Sequence, residues 1–90
     1  MAQVQQEIVC PIVHRNGTSA KELVEQLQAV SLSLLDVLNA LYAAAPNGRD
    51  YYPVPGLLEK ATAQHRRRCK VIEDLRVEIL QQAEVVSEGL

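Results

Sequence analysis

"SAKELVEQLQAVSLSLLDVLNALYAA", Ser19 to Ala44, is the stretch on which the fold turns. Leu23, Leu27, Val30, Leu34, Val37, Leu41 and Ala44 recur in alternating steps of four and three. That spacing gathers them on one face of an α-helix and makes the seam of a packed helix pair. Val24, Leu35, Leu38 and Tyr42 widen the apolar stripe. Ser19-Ala20-Lys21-Glu22 fits the S-x-x-E capping box, in which Ser19 and Glu22 satisfy orphan amides reciprocally. A helix is expected over about 19–44, roughly 39 Å long at about 1.5 Å per residue.

Pro46-Asn47-Gly48 should end that helix. Proline cannot continue the hydrogen-bond ladder, and Asn-Gly tolerates left-handed geometry. The linker, 45–55, carries two further prolines that stiffen it. A second helix is expected over about 56–87, with a seam at Leu58, Ala61, His65, Arg68, Ile72, Leu75, Ile79, Gln82 and Val86. Here His65 and Arg68 stand where the pattern asks for apolar residues.

Two long helices joined by a dozen residues form an antiparallel hairpin, spanning 18–90. Residues 1–17 read as an arm. Its "EIVCPIV" is rich in β-branched residues but broken by Pro11, so it suits a short edge strand or an extended segment. Disorder is expected at the first few residues. The fold class is therefore all-α: a two-helix hairpin with a short extended arm. A lone hairpin leaves half of each helix uncovered, and the stripe on the first helix is wider than one partner can bury. Assembly into an oligomeric helical bundle follows as an expectation.

Composition narrows the function. Ninety residues, 48% apolar and 22% charged, make a single globular domain. With three Tyr, no Phe and no Trp, the core must be aliphatic. A net charge of -2 argues against a general nucleic-acid binder, leaving only a local basic patch. Cys10 and Cys69 lack metal-ligand spacing, and no apolar run has membrane-spanning length. The expected setting is the cytoplasm, with reduced thiols and no membrane partner.

Three motifs bear on binding. In "HRNGTS", the amides of a helix start favour anions. Asn16-Gly17 can turn backbone amides inward as a nest, Thr18 and Ser19 add hydroxyls, and Arg15 adds charge. His14 opens the same segment. The competing account is a plain capped helix start; the stretch is no Walker A loop. In "NGRDYYP", Arg49 offers a phosphate fork, and Tyr51 and Tyr52 offer rings for a nucleobase. Alternatively these tyrosines close the end of the bundle, one packing while the other binds. In "HRRRCK", Arg66, Arg67 and Lys70 read as a solvated face. Arg68, in the seam, needs an acid or a ligand phosphate as partner. His65 and Cys69 at i, i+4 are two ligands, too few for a metal site. Nothing resembles a catalytic constellation, so no enzyme activity and no cofactor are expected. Cys10 reads as a buried small hydrophobe.

The linker lies beside the start of the second helix, so Arg49, Tyr51, Tyr52, His65 and Arg68 gather toward one end of the hairpin. "HRNGTS" lies at the other. Antiparallel pairing of two chains would bring one end to the other and create a composite pocket with the ingredients of a nucleotide site.

The NGTS entrance, "PNGRDYYP" and the A-x-x-x-H-x-x-R run from Ala61 to Arg68 resemble small phage and prophage proteins, over about residues 12–80. More loosely, the architecture is similar to phage sponges, the anti-CBASS and anti-Thoeris proteins. These are oligomers that hold cyclic nucleotide immune signals between subunits without cleaving them. The resemblance implies a non-enzymatic anti-defence protein of the infected bacterial cytosol, with itself and a small phosphorylated nucleotide as partners. The alternatives are an interaction module that docks an apolar helix face on a host protein and, less favoured by the charge, a nucleic-acid accessory protein.

Overall fold

A computed structural model of the chain describes residues 7–89. The expected disorder at the first few residues falls largely outside that range.

Helix α1 spans Ala20–Ala43 and helix α2 spans Leu57–Ser87. A single 3-10 turn, η1, Gly48–Asp50, lies between them. Among the described residues there is no strand, and the arm from Glu7 onward is irregular. α1 starts at Ser19, whose Oγ accepts from the Glu22 amide at 3.1 Å. Among the described residues only this half of the capping box is formed. α1 stops at Ala44, whose amide still reaches the carbonyls of Ala40 and Leu41, and Pro46 forbids a further turn.

The linker differs from expectation in one respect. Neither Asn47-Gly48 nor Asn16-Gly17 adopts left-handed backbone; that conformation is found at Gly56, with φ 81°. Asn47 acts through its side chain instead. Its Oδ1 accepts from the Arg49 amide at 2.9 Å and caps the 3-10 turn. Gly56 precedes α2 and redirects the chain into it.

The helices pack antiparallel, as the short linker requires. The covered row along α1 is Ala20, Val24, Leu27, Ser31, Leu34, Leu38 and Leu41, with Leu23 and Leu35 half-buried beside it. Along α2 it is Leu58, Thr62, His65, Cys69, Ile72, Arg76, Ile79, Ala83 and Val86, with Ala61, Glu73, Asp74, Gln82 and Ser87 half-buried beside it. Both rows step by alternating threes and fours, as in left-handed helix packing. This corrects the expected seam. Leu27, Leu34 and Leu41 hold on α1, but Val30 and Val37 are 43% and 46% exposed, while Ser31 and Leu38 are buried. On α2 the seam passes through Cys69 and not Arg68, which is exposed, and through Arg76 and not Leu75. Two cross-links fix this register. The Tyr42 hydroxyl donates to Glu73 Oε1 at 2.7 Å, and Arg76 Nε donates to the Ser31 carbonyl at 3.2 Å.

The outcome is a flat paddle of 62 × 29 × 16 Å. Its radius of gyration is 18.3 Å, where roughly 12 Å would be expected for a compact chain of this length. Among the described residues no large side chain is fully buried.

Charge is polarised along the paddle. The linker half holds Arg49, Lys60, Arg66, Arg67, Arg68 and Lys70 against Asp50 and Glu59. The far half holds Arg15, Lys21 and Arg76 against Glu22, Glu25, Glu78, Glu84 and Glu88, with Asp36, Glu73 and Asp74 about midway. One end is thus net positive and the other net negative.

Candidate functional site

The entrance to α1 is a small closed turn. The Gly17 amide donates to the His14 carbonyl at 3.1 Å. The His14 ring lies over Gly17 so closely that a Cβ there would sit 2.8 Å from Nε2. A Cβ at 17 would push aside the exposed His14 ring, and no positive φ is required there; the expected inward nest at Asn16-Gly17 does not form. His14, Arg15, Asn16, Gly17, Thr18 and Ser19 are all exposed. Ser19 spends its hydroxyl on the cap, so Arg15 and Thr18 are the polar side chains of the segment best placed to meet a ligand.

The linker holds Arg49 firmly. Its Nε donates to Asn47 Oδ1 at 3.3 Å, the same oxygen that caps the 3-10 turn. Arg49 forms no ion pair among the described residues, so its terminal nitrogens face solvent. Tyr51 is half-buried and Tyr52 is 79% exposed. One ring therefore packs and the other stands free, which gives Arg49 and Tyr52 the makings of an open anion-and-ring surface.

His65 and Arg68 part company. His65 is half-buried in the seam, with Nε2 3.5 Å from Cys69 Sγ. Among the described residues no third ligand joins this pair. Arg68 lies on the opposite flank in water and so needs no buried partner. What borders His65 instead is a cleft of about 410 Å³ lined by Tyr42, Ala45, Arg66, Cys69, Lys70 and Glu73. Of the residues expected in the site, His65 alone lines it.

Tyr42 and Glu73 are the site residues that the sequence did not disclose. Their hydrogen bond, chiefly, raises the Tyr42 pKa above the ordinary 10.0, since a phenol that donates to a carboxylate resists ionisation. Lys70 donates to Asp74 Oδ1 at 2.6 Å, one turn along, and that bond raises its pKa above 10.5. Lys70 is thus partly committed to an acid, leaving Arg66 as the cleft's free cation among the described residues. A pairing between elements of opposite polarity at i and j gives no periodic signal. Only the relative register of the helices brings Tyr42 to Glu73.

Cys10 and Cys69 are free thiols. Cys10 is half-buried, with Sγ 3.9 Å from the Ile8 carbonyl, and is less covered than expected. No helix among the described residues is long and apolar enough to cross a membrane. No protein-family description, curated protein or solved structure matches the chain.

Proposed function

We propose that the chain is a non-enzymatic binding protein that acts as a homo-oligomer and holds a small phosphorylated nucleotide between subunits. One observation carries this reading. The two polar sets, His14–Ser19 and Arg49–Tyr52, are at opposite ends of α1, about 36 Å apart along its 24 residues. A second chain running the other way would bring them together. Arg49, steadied by Asn47, supplies the phosphate fork, and the free ring of Tyr52 supplies the stacking face. Arg15 and Thr18 complete the anion side from the neighbour. His65 and Arg68 contribute less directly: His65 faces the cleft and Arg68 the opposite flank.

The finer reading is a phage anti-defence protein that sequesters a cyclic nucleotide immune signal in the cytosol of the infected cell. It rests on the resemblance of the NGTS and NGRDYY motifs and of the hairpin architecture. Calorimetric titration with a panel of cyclic and linear nucleotides tests the proposal. Micromolar or tighter binding is expected, lost in Arg49→Ala and Tyr52→Ala while the helical circular dichroism is retained. Absence of heat with every nucleotide, at concentrations that keep the oligomer intact, would overturn it.

A second reading has its own support. Val30, Val37 and Leu75 leave an apolar flank uncovered, as a module that docks on a host protein would require. Recovery of a stoichiometric protein partner by a chain that retains no small molecule would favour it.

A further inference from the structure

The Tyr42–Glu73 bond marks one flank of the hairpin. By helical spacing, the opposite flank carries Leu23, Val30 and Val37 from α1, seven residues apart, and Ala61, Arg68 and Leu75 from α2, again seven apart. A seven-residue row runs straight along a left-handed helix pair, which makes this flank a second seam. Its central members Val30, Val37 and Leu75 are all more than 40% exposed.

We propose that this flank is the self-association face, and that it takes a second copy of the chain packed antiparallel, linker end against far end. The inference rests on the homo-oligomer reading above and adds the face and the direction. Two observations select the occupant. The first is area. The chain exposes 7209 Å², where roughly 5,200 Å² is expected of a compact protein of its mass. The surplus comfortably exceeds the roughly 800 Å² that each partner gives to a stable dimer. A face made of straight heptad rows is complementary to itself, which is what two-fold pairing needs.

The second is charge. Arg68 lies in the flank in the linker half, and Glu78, three residues after Leu75, lies along its edge in the far half. Parallel pairing would set base on base and acid on acid. Antiparallel pairing sets Arg68 toward the partner's acidic end, which carries Glu78, so the direction is chosen by this charge pair while the apolar rows supply adhesion. It is also the direction that brings one chain's Arg49–Tyr52 linker toward its neighbour's α1 entrance.

Analytical ultracentrifugation of the full chain tests the proposal at low ionic strength. Twice the 10.0 kDa chain mass is expected, and Val30→Asp with Val37→Asp should weaken the dimer at least tenfold. Because that variant removes apolar surface from a small domain, edge charges provide an independent test without touching either seam's apolar residues. Arg68→Glu should weaken the dimer about threefold, and adding Glu78→Lys should restore it. A monomeric wild type, a dimer strengthened by Arg68→Glu, or a swap that restores nothing would overturn the proposal. A dimer indifferent to all these changes would keep the homo-oligomer reading and sink this face.

Discussion

Arg76 reaches across the middle of the hairpin and donates to the backbone carbonyl of Ser31 at 3.2 Å. Ser31 is 3% exposed. A small side chain at that point of the seam lets α1 approach α2, and the long stem of Arg76 covers the space beside it while its head reaches a carbonyl. The polar residue in the apolar run is therefore a contact point.

Ser31→Leu should then overpack the seam. A loss of about 1–3 kcal/mol is expected in chemical denaturation at fixed protein concentration. Ser31→Ala, which keeps the side chain small, should stay within about 1 kcal/mol of the wild type. A stabilised Ser31→Leu would mean that Ser31 faces away from α2.

The register of α2 is tested one residue apart. Arg68 is exposed in the single chain and Cys69 buried, so Arg68→Ala should change the stability of the dissociated chain by no more than about 0.5 kcal/mol. Cys69→Arg would place an unpaired charge in the seam and should cost about 3–5 kcal/mol, enough to unfold so small a domain. Equal costs for the two, in urea titrations followed by circular dichroism, would return Arg68 to the seam.

Those two positions show how much of the fold was legible. Helix limits, linker and antiparallel order follow from capping, proline and spacing, which are local. The seam does not. Leu27, Leu34 and Leu41 belong to either of two adjacent rows, one with Ser31 and Leu38, the other with Val30 and Val37. The apolar arc of α1 covers both, and a periodicity count finds its middle. Only the packing of α2 separates them. The candidate site divides the same way. The exposed motifs at the two helix entrances are visible as sequence, whereas the cleft around His65 depends on Tyr42 meeting Glu73 across the pair.

The Tyr42–Glu73 bond also has a pH signature. The phenol pKa is raised in the folded state, so the bond contributes fully below the ordinary value of 10.0 and is lost as pH rises through the folded pKa. Thermal stability should decline in that alkaline window, and the decline should be smaller in Tyr42→Phe. In an ultraviolet absorbance titration, one phenol should ionise above 10.0; Glu73→Gln should bring it down toward that value. The window leaves neutral pH untouched. Lys70, whose pKa is raised in the same direction by Asp74, adds to the same alkaline loss, so Tyr42→Phe should reduce it without abolishing it.

The last test concerns how the chain enters α2. Gly56 has φ 81°, and nothing lies within 4 Å of where its Cβ would be. A substitution there meets no neighbour, so its whole cost is backbone: about 1–2 kcal/mol for Gly56→Ala, from the clash of Cβ with the carbonyl in left-handed geometry. Gly48 is the control. It has no positive φ, and a Cβ would rest 3.8 Å from Leu58 Cδ2, an ordinary contact. Gly48→Ala should be neutral or mildly stabilising, since it reduces the freedom of the unfolded chain by about 0.4–1 kcal/mol without native strain. Sequence alone favours the opposite assignment, because Asn-Gly at 47–48 is the stronger turn signal. Thermal melts of the two variants decide it: if Gly48→Ala is the destabilised one, the left-handed residue of this linker is at Gly48 and α2 begins from a different turn.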